Sequence, residues 1–182
     1  LGLHALQHRG QESAGISVSD GETIHTRRGQ GLVSEVFSRD EYLEFKGNQA
    51  IGHVRYTTAG DSGLLNAQPL VFRYTGGQVA VAHNGNLVNA KRLRDQLERQ
   101  GSIFQTNSDT EVVSHLIARA GPPIDHAFQD ALRVIDGAYA LLLMTEKQMI
   151  AAQDPRGFRP LSLGQFENAW VVSSETCALN TI

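Results

Sequence analysis

An α+β fold built from antiparallel sheets is what this sequence predicts, on three observations. Short apolar runs bounded by turn residues crowd both ends of the chain. A block of helical periodicity occupies the middle. Asp20-Gly21 and Gly76-Gly77 fall between strand pairs, where a hairpin needs φ > 0. Strands are expected to pair within their own half of the chain, which argues against a parallel, doubly wound sheet.

The chain opens in a helical pattern, Leu1-Gly2-Leu3-His4-Ala5-Leu6. Residues 14–19, 23–27, 50–56, 70–74 and 78–82 read as strands. The last of these runs into His83-Asn84-Gly85-Asn86, and a helix is expected to start at once at Leu87, making a strand–turn–helix. Leu87, Ala90, Leu93 and Leu97 share its apolar face, and Gly101 stops it. A second helix opens on the capping box Ser108-Asp109-Thr110-Glu111, with Ser108 as N-cap. It buries Val112, Val113, Leu116, Ile117 and Ala120 and ends at Gly121-Pro122-Pro123. A third helix covers 125–135, and strands resume at 138–145, 149–153, 161–164 and 169–173.

With 182 residues, 41% of them hydrophobic, the chain has the length and apolar content for one domain with a real core. A net charge of -3 and a pI near 6.2 exclude nucleic acid and anionic membranes as expected partners. No apolar run approaches the roughly 20 residues of a membrane helix. The single cysteine, Cys177, excludes an internal disulfide framework and an all-cysteine metal site, and fits a reducing cytosol. No metal-ligand spacing links the seven histidines, so no metal is expected. There is no glycine-rich phosphate loop with a following lysine.

Four places could carry chemistry. Asn84-Gly85 offers a side-chain amide and a glycine N–H side by side, the donors an acyl-transfer enzyme aims at an oxyanion; alternatively it is an ordinary turn with Asn86 as N-cap. In Gly52-His53-Val54-Arg55-Tyr56-Thr57-Thr58, Arg55 with nearby hydroxyls suits capture of a carboxylate, or is a plain arginine at a strand end. Asp109 sits where a helix dipole favours an acid, and could also pair with a substrate ammonium. Arg55 and Asp109 together would hold both charged ends of an α-amino acid. In Gln7-His8-Arg9-Gly10-Gln11, Gly10 suggests close backbone approach, and His8 is either a general base or a polar histidine with its hydrogen bonds satisfied.

These segments, with Asp154-Pro155-Arg156-Gly157-Phe158-Arg159-Pro160-Leu161 and Ser174-Glu175-Thr176-Cys177-Ala178, stand in an order that resembles the glutaminase domain of class II glutamine amidotransferases. The likeness is strongest to the branch that uses phosphoribosyl pyrophosphate. The hexosamine-forming branch is the alternative, but it usually carries a Glu-Tyr-Arg-Gly-Tyr type loop at Gln7–Gln11 and a Trp at Tyr56. A third reading is a non-catalytic amino-acid-binding relative.

The resemblance implies an N-terminal nucleophile hydrolase, a four-layer α-β-β-α sandwich with its N-terminal strand missing here. It implies hydrolysis of L-glutamine by an N-terminal cysteine whose α-amino group is the base. Asn84 and Gly85 would form the oxyanion hole, Arg55 with Thr58 would bind the α-carboxylate, and Asp109 with the Gly85 carbonyl would bind the α-ammonium. Arg9 and Gly10 would lie near the nucleophile. Residues 1–182 then form a glutaminase domain truncated at both ends, inactive alone because the cysteine is absent. Ammonia would pass to the enzyme's own phosphoribosyltransferase domain, outside this sequence, to make phosphoribosylamine for purine synthesis. No cofactor is implied in the glutaminase domain. Mg with phosphoribosyl pyrophosphate, and in some members a 4Fe–4S cluster, would belong to the absent part. The full-length enzyme is expected to be a cytoplasmic homo-oligomer.

Overall fold

The computed structural model describes residues 1–38, 45–56 and 63–182. Ser13–Ser19 (β1), Ile24–Gln30 (β2) and Gln49–Arg55 (β3) form an antiparallel sheet in the order β2-β1-β3. Leu70–Tyr74 (β4), Gly77–Leu87 (β5), Gly137–Thr145 (β6) and Met149–Gln153 (β7) form a second, in the order β4-β5-β6-β7. Among the described residues, Ser162–Phe166 (β8) and Ala169–Ser173 (β9) pair only with each other. The helices are Gly2–Ala5 (α1), Val33–Val36 (α2), Ala90–Arg99 (α3), Thr110–Ala120 (α4), Ile124–Val134 (α5) and Thr176–Leu179 (α6). None among the described residues is long and apolar enough to cross a membrane.

Strand alternation sorts the buried residues into three clusters, and these define four layers. Val79, Val81 and Leu87 of β5 pack with Leu141 and Leu143 of β6 against Leu93, Leu97, Val112, Val113, Ile117 and Phe128 of the helices. The opposite face of β5, Ala80 and Ala82, packs with Met144 against Ile24 and Ile51 of the first sheet. That sheet turns Ala14, Ile16 and Val54 toward Val33, Val36 and Leu3 of α2 and α1. The order is therefore helices, sheet, sheet, helices, as expected. Gly15 of β1 faces the carbonyl of Gln68, just before β4, with no room for a Cβ. Each fully buried aliphatic side chain contributes about 1.5–3 kcal/mol.

Three expectations about local structure are corrected. β5 does not stop at Ala82; it continues through Asn84-Gly85 to Leu87, which pairs with Gly137, and the helix begins only at Ala90, with Asn89 as N-cap. Strands also pair across the helical block, because β5 of the first half pairs with β6 of the second. The capping box does not form. The Glu111 carboxylate accepts from Gln105 N–H at 2.8 Å and Thr106 N–H at 2.7 Å, so it fastens the preceding loop rather than the helix's own N-cap.

The edges of β3 and β9 line the two sides of an apolar groove of about 490 Å³, floored by Leu142 and Met149 and flanked by Leu3, Leu6 and Ala178.

Candidate active site

The backbone register creates the central feature of the site. Tyr139 uses its C=O and N–H on Asp154, accepting from its N–H at 2.8 Å and donating to its Oδ2 at 3.2 Å. Tyr139 therefore makes no ladder hydrogen bonds to its β5 partner Gly85, whose own N–H and C=O turn to the other side. On that side β4 ends at Leu70, opposite Val81. The exposed stretch of β5 is capped by side chains on either side of Gly85: His83 N–H donates to Gln68 Oε1 at 2.7 Å, and Leu87 N–H donates to Asp109 Oδ2 at 2.8 Å. Gly85 lies between them, at the edge of a cleft of about 810 Å³. It must be glycine for a packing reason, since a Cβ would overlap the Ala138 carbonyl oxygen and lie 2.7 Å from His83 Nε2.

Asn84 points from the opposite face of β5, into the same cleft, with Nδ2 3.5 Å from Ser174 Oγ. Arg55, at the end of β3, also lines the cleft, and its Nη1 donates to Glu12 Oε1 at 2.9 Å. Arg9 lines it and is paired with Glu175. Asp109 lines it from the start of α4. Burial pushes the Asp109 carboxyl up, but hydrogen bonding to His83 and to the Leu87 and Thr110 N–H groups outweighs this and holds it below its ordinary value. Asn84, Gly85, Arg55, Asp109 and Arg9 thus converge on one cleft. Gly10 does not line it. It packs against the Arg55 main chain, where a Cβ would overlap backbone atoms, so its part is to seat that strand end. Thr58 lies outside the described residues.

Several residues of the site had no role in the sequence reading. His83 is buried, 1% exposed, with Nδ1 3.1 Å from Thr110 Oγ1 and 3.4 Å from Asp109 Oδ1. A carboxylate only accepts, so the contact with Asp109 favours the tautomer with the hydrogen on Nδ1. Gln68 donates from Nε2 to the same Thr110 hydroxyl at 3.3 Å. His53 reaches the His83 carbonyl at 3.1 Å, and burial pulls its pKa down to about 4. Asp154 collects N–H groups from Tyr139, Arg156, Phe158 and Arg159, which fold the segment after β7 and bring Arg159 to the cleft. Both nitrogens of His8 are engaged, by Ala5 O and Glu175, which fits the satisfied-histidine alternative. His8, Glu175 and Cys177 converge within 4.8 Å, a grouping the linear spacing hides, and there Glu175 is already held by Arg9.

A sequence profile described as the glutamine amidotransferase domain matches residues 53–181. The chain belongs to this family. As a glutamine amidotransferase domain it is 56% identical to an amidophosphoribosyltransferase of Bacillus subtilis, over the whole of this chain and 38% of that protein. It is 55% identical to a chloroplastic amidophosphoribosyltransferase of Arabidopsis thaliana, over the whole of this chain and 33% of that one. The solved B. subtilis glutamine phosphoribosylpyrophosphate amidotransferase, complexed with ADP and GMP, superposes with a TM-score of 0.92 at 56% identity, covering 98% of this chain and 39% of that one. The domain therefore spans well under half the length of these relatives, and its fold is theirs.

Proposed function

We propose that this domain hydrolyses the side-chain amide of L-glutamine and supplies the ammonia to an amidophosphoribosyltransferase reaction. The observation that carries the reading is the Gly85 N–H, turned out of the ladder beside the Asn84 amide and midway between the capped N–H groups of His83 and Leu87. Two donors fixed by a sheet need no reorganisation when negative charge develops on a carbonyl oxygen. Arg55, with Thr58, takes the α-carboxylate of glutamine. Asp109, held ionised, takes the α-ammonium with the Gly85 carbonyl.

The nucleophile is a cysteine on a segment preceding Leu1 in the longer protein, its free α-amino group acting as base near neutral pH. The apolar groove lined by β3 and β9 is where that segment would enter, as a strand joining the two edges. Arg9 and Gly10 stand close to its end. Attack on the amide carbon expels ammonia and leaves a glutamyl thioester, which water cleaves to glutamate.

The similarity to amidophosphoribosyltransferases along the whole chain supports phosphoribosylamine formation, the first step of purine synthesis, as the use of the ammonia. The acceptor site, with Mg and phosphoribosyl pyrophosphate, belongs to the remaining part of the protein. A 4Fe–4S cluster would belong there too, since one cysteine cannot ligate it. The full enzyme is a cytoplasmic homo-oligomer in this reading.

The test uses the full-length protein. Asn84→Ala should lower glutamine-dependent turnover by about 10²–10³-fold and leave synthesis from free ammonium salts intact. Glutamine hydrolysis by Asn84→Ala at the parent rate would exclude the oxyanion-hole assignment.

A further inference from the structure

Among the described residues three guanidinium groups line the cleft, and two are engaged: Arg9 with Glu175 and Arg55 with Glu12. Arg159 differs. Its Nε is buried without a hydrogen-bond partner, and its side chain makes no hydrogen bond or ion pair among the described residues. The residue as a whole is half-buried, but an enclosed N–H without an acceptor is costly, so this donor calls for an acceptor beyond the described side chains.

The fold places this group with care. Arg159 N–H donates to Asp154 Oδ2 at 3.2 Å, and its carbonyl accepts from Gln153 Nε2 at 2.6 Å. Burial pushes the Asp154 carboxyl up, but four N–H groups outweigh it and keep the carboxylate charged. Asn84, Ala140 and Gln153 stand side by side across β5, β6 and β7, so their side chains share one face. The Arg159 anchor is thus about 9.5 Å from Asn84, two strand spacings away, on the flank opposite Asp109 and Gln68. In the reading above Asp109 and Arg55 serve the amino-acid end of the substrate, and Arg159 lines the same cleft from the β7 side, beyond Asn84.

We propose that Arg159 binds the negative charge that arises at the amide end only during turnover. That charge is first the oxyanion of the tetrahedral intermediate, and then the side-chain carboxylate of the product. The inference rests on the glutaminase reading above. In the last step water adds to the thioester carbonyl carbon and the C–S bond breaks. One proton of the water returns to sulfur and the other goes to solvent, leaving a carboxylate where the substrate carried a neutral amide. A guanidinium there favours transition state and product over substrate.

The experiment compares the full-length enzyme with Arg159→Gln and Arg159→Lys. Measured quantities are kcat and KM for glutamine, the inhibition constant of glutamate, and synthesis from ammonium salts. In Arg159→Gln, kcat with glutamine should fall about 10–100-fold while KM moves less than about threefold. Inhibition by glutamate should weaken about tenfold or more, with Arg159→Lys intermediate, and ammonia-dependent synthesis should stay at the parent level. An unchanged glutamate constant overturns the proposal. So does an equal change for glutamate and glutamine, or a parallel loss of ammonia-dependent synthesis. If the parent enzyme itself neither hydrolyses glutamine nor responds to glutamate, the glutaminase reading has failed, whatever the variants do.

Discussion

His83 Nδ1 lies 3.4 Å from Asp109 Oδ1, tying the far end of β5 to the start of α4. With the Leu87 N–H on Oδ2, both oxygens of Asp109 are held, so the carboxylate cannot swing out of the cleft. Asp109→Asn removes the charge while keeping the shape. In the full-length enzyme it should raise the KM for glutamine about 10–100-fold, the value of one charge-assisted hydrogen bond, and spare ammonia-dependent synthesis. Steady-state kinetics with the two nitrogen donors check this; equal loss with both would make Asp109 purely structural.

His53 predicts a stability change in mild acid. Its folded pKa of about 4 lies below the ordinary 6.5. Between these values the unfolded chain binds a proton that the folded state refuses, so stability falls as pH drops from 6.5 toward 4 and levels off below. The full difference is about 3 kcal/mol. Asp109 and Asp154, with depressed carboxyl pKa values, act at lower pH, as protonation proceeds below their ordinary 3.8. Denaturant titrations at pH 7 and 4.5 should differ by most of that amount, and His53→Gln should flatten the difference.

Gly85→Ala should be severe, because the new methyl meets the Ala138 carbonyl oxygen and His83 Nε2 rather than open space. Overpacking of this kind costs about 1–3 kcal/mol. A lowered Tm together with lost glutamine use is expected; a parent-like Tm would mean that β5 and β6 separate at this point without cost.

Asp154→Asn leaves one accepting oxygen for four N–H groups. The 154–159 segment should loosen, with faster amide hydrogen exchange at Phe158 and Arg159. Glutamine-dependent kcat should fall as Arg159 loses its anchor. Unchanged exchange at those two amides would show that the segment is held without the Asp154 carboxylate.

The antiparallel α+β class, the helices over 110–120 and 124–134, and β7 and β9 were legible because their periodicities and stops are local. The five cleft residues Asn84, Gly85, Arg55, Asp109 and Arg9 were legible as motifs. What misled was Asn84-Gly85, a dipeptide that usually marks a turn. Here glycine answers to the Ala138 carbonyl across the ladder, a contact 53 residues away in sequence, and the strand continues. Buried Val79, Val81 and Leu87 on one face of β5 carried the signal of the longer strand. Glu111 was misread because its true partners, Gln105 and Thr106, precede the helix. Arg159 gained a role only once Asp154 folded its loop.

Among the described residues the β8–β9 ribbon shares no ladder with either larger sheet, and α6, at its end, packs against α1. Ser174 and Glu175, which close the cleft opposite Asn84 and beside Arg9, follow directly from this ribbon. One wall of the cleft is therefore expected to open as a cooperative unit of its own. Its opening would release Arg9 and His8 from Glu175 while Asp109, His83 and Gln68 keep their hydrogen bonds. Amides of β8 and β9 should therefore exchange with solvent ahead of those in β5 and β6, with the recognition end of the cleft still intact.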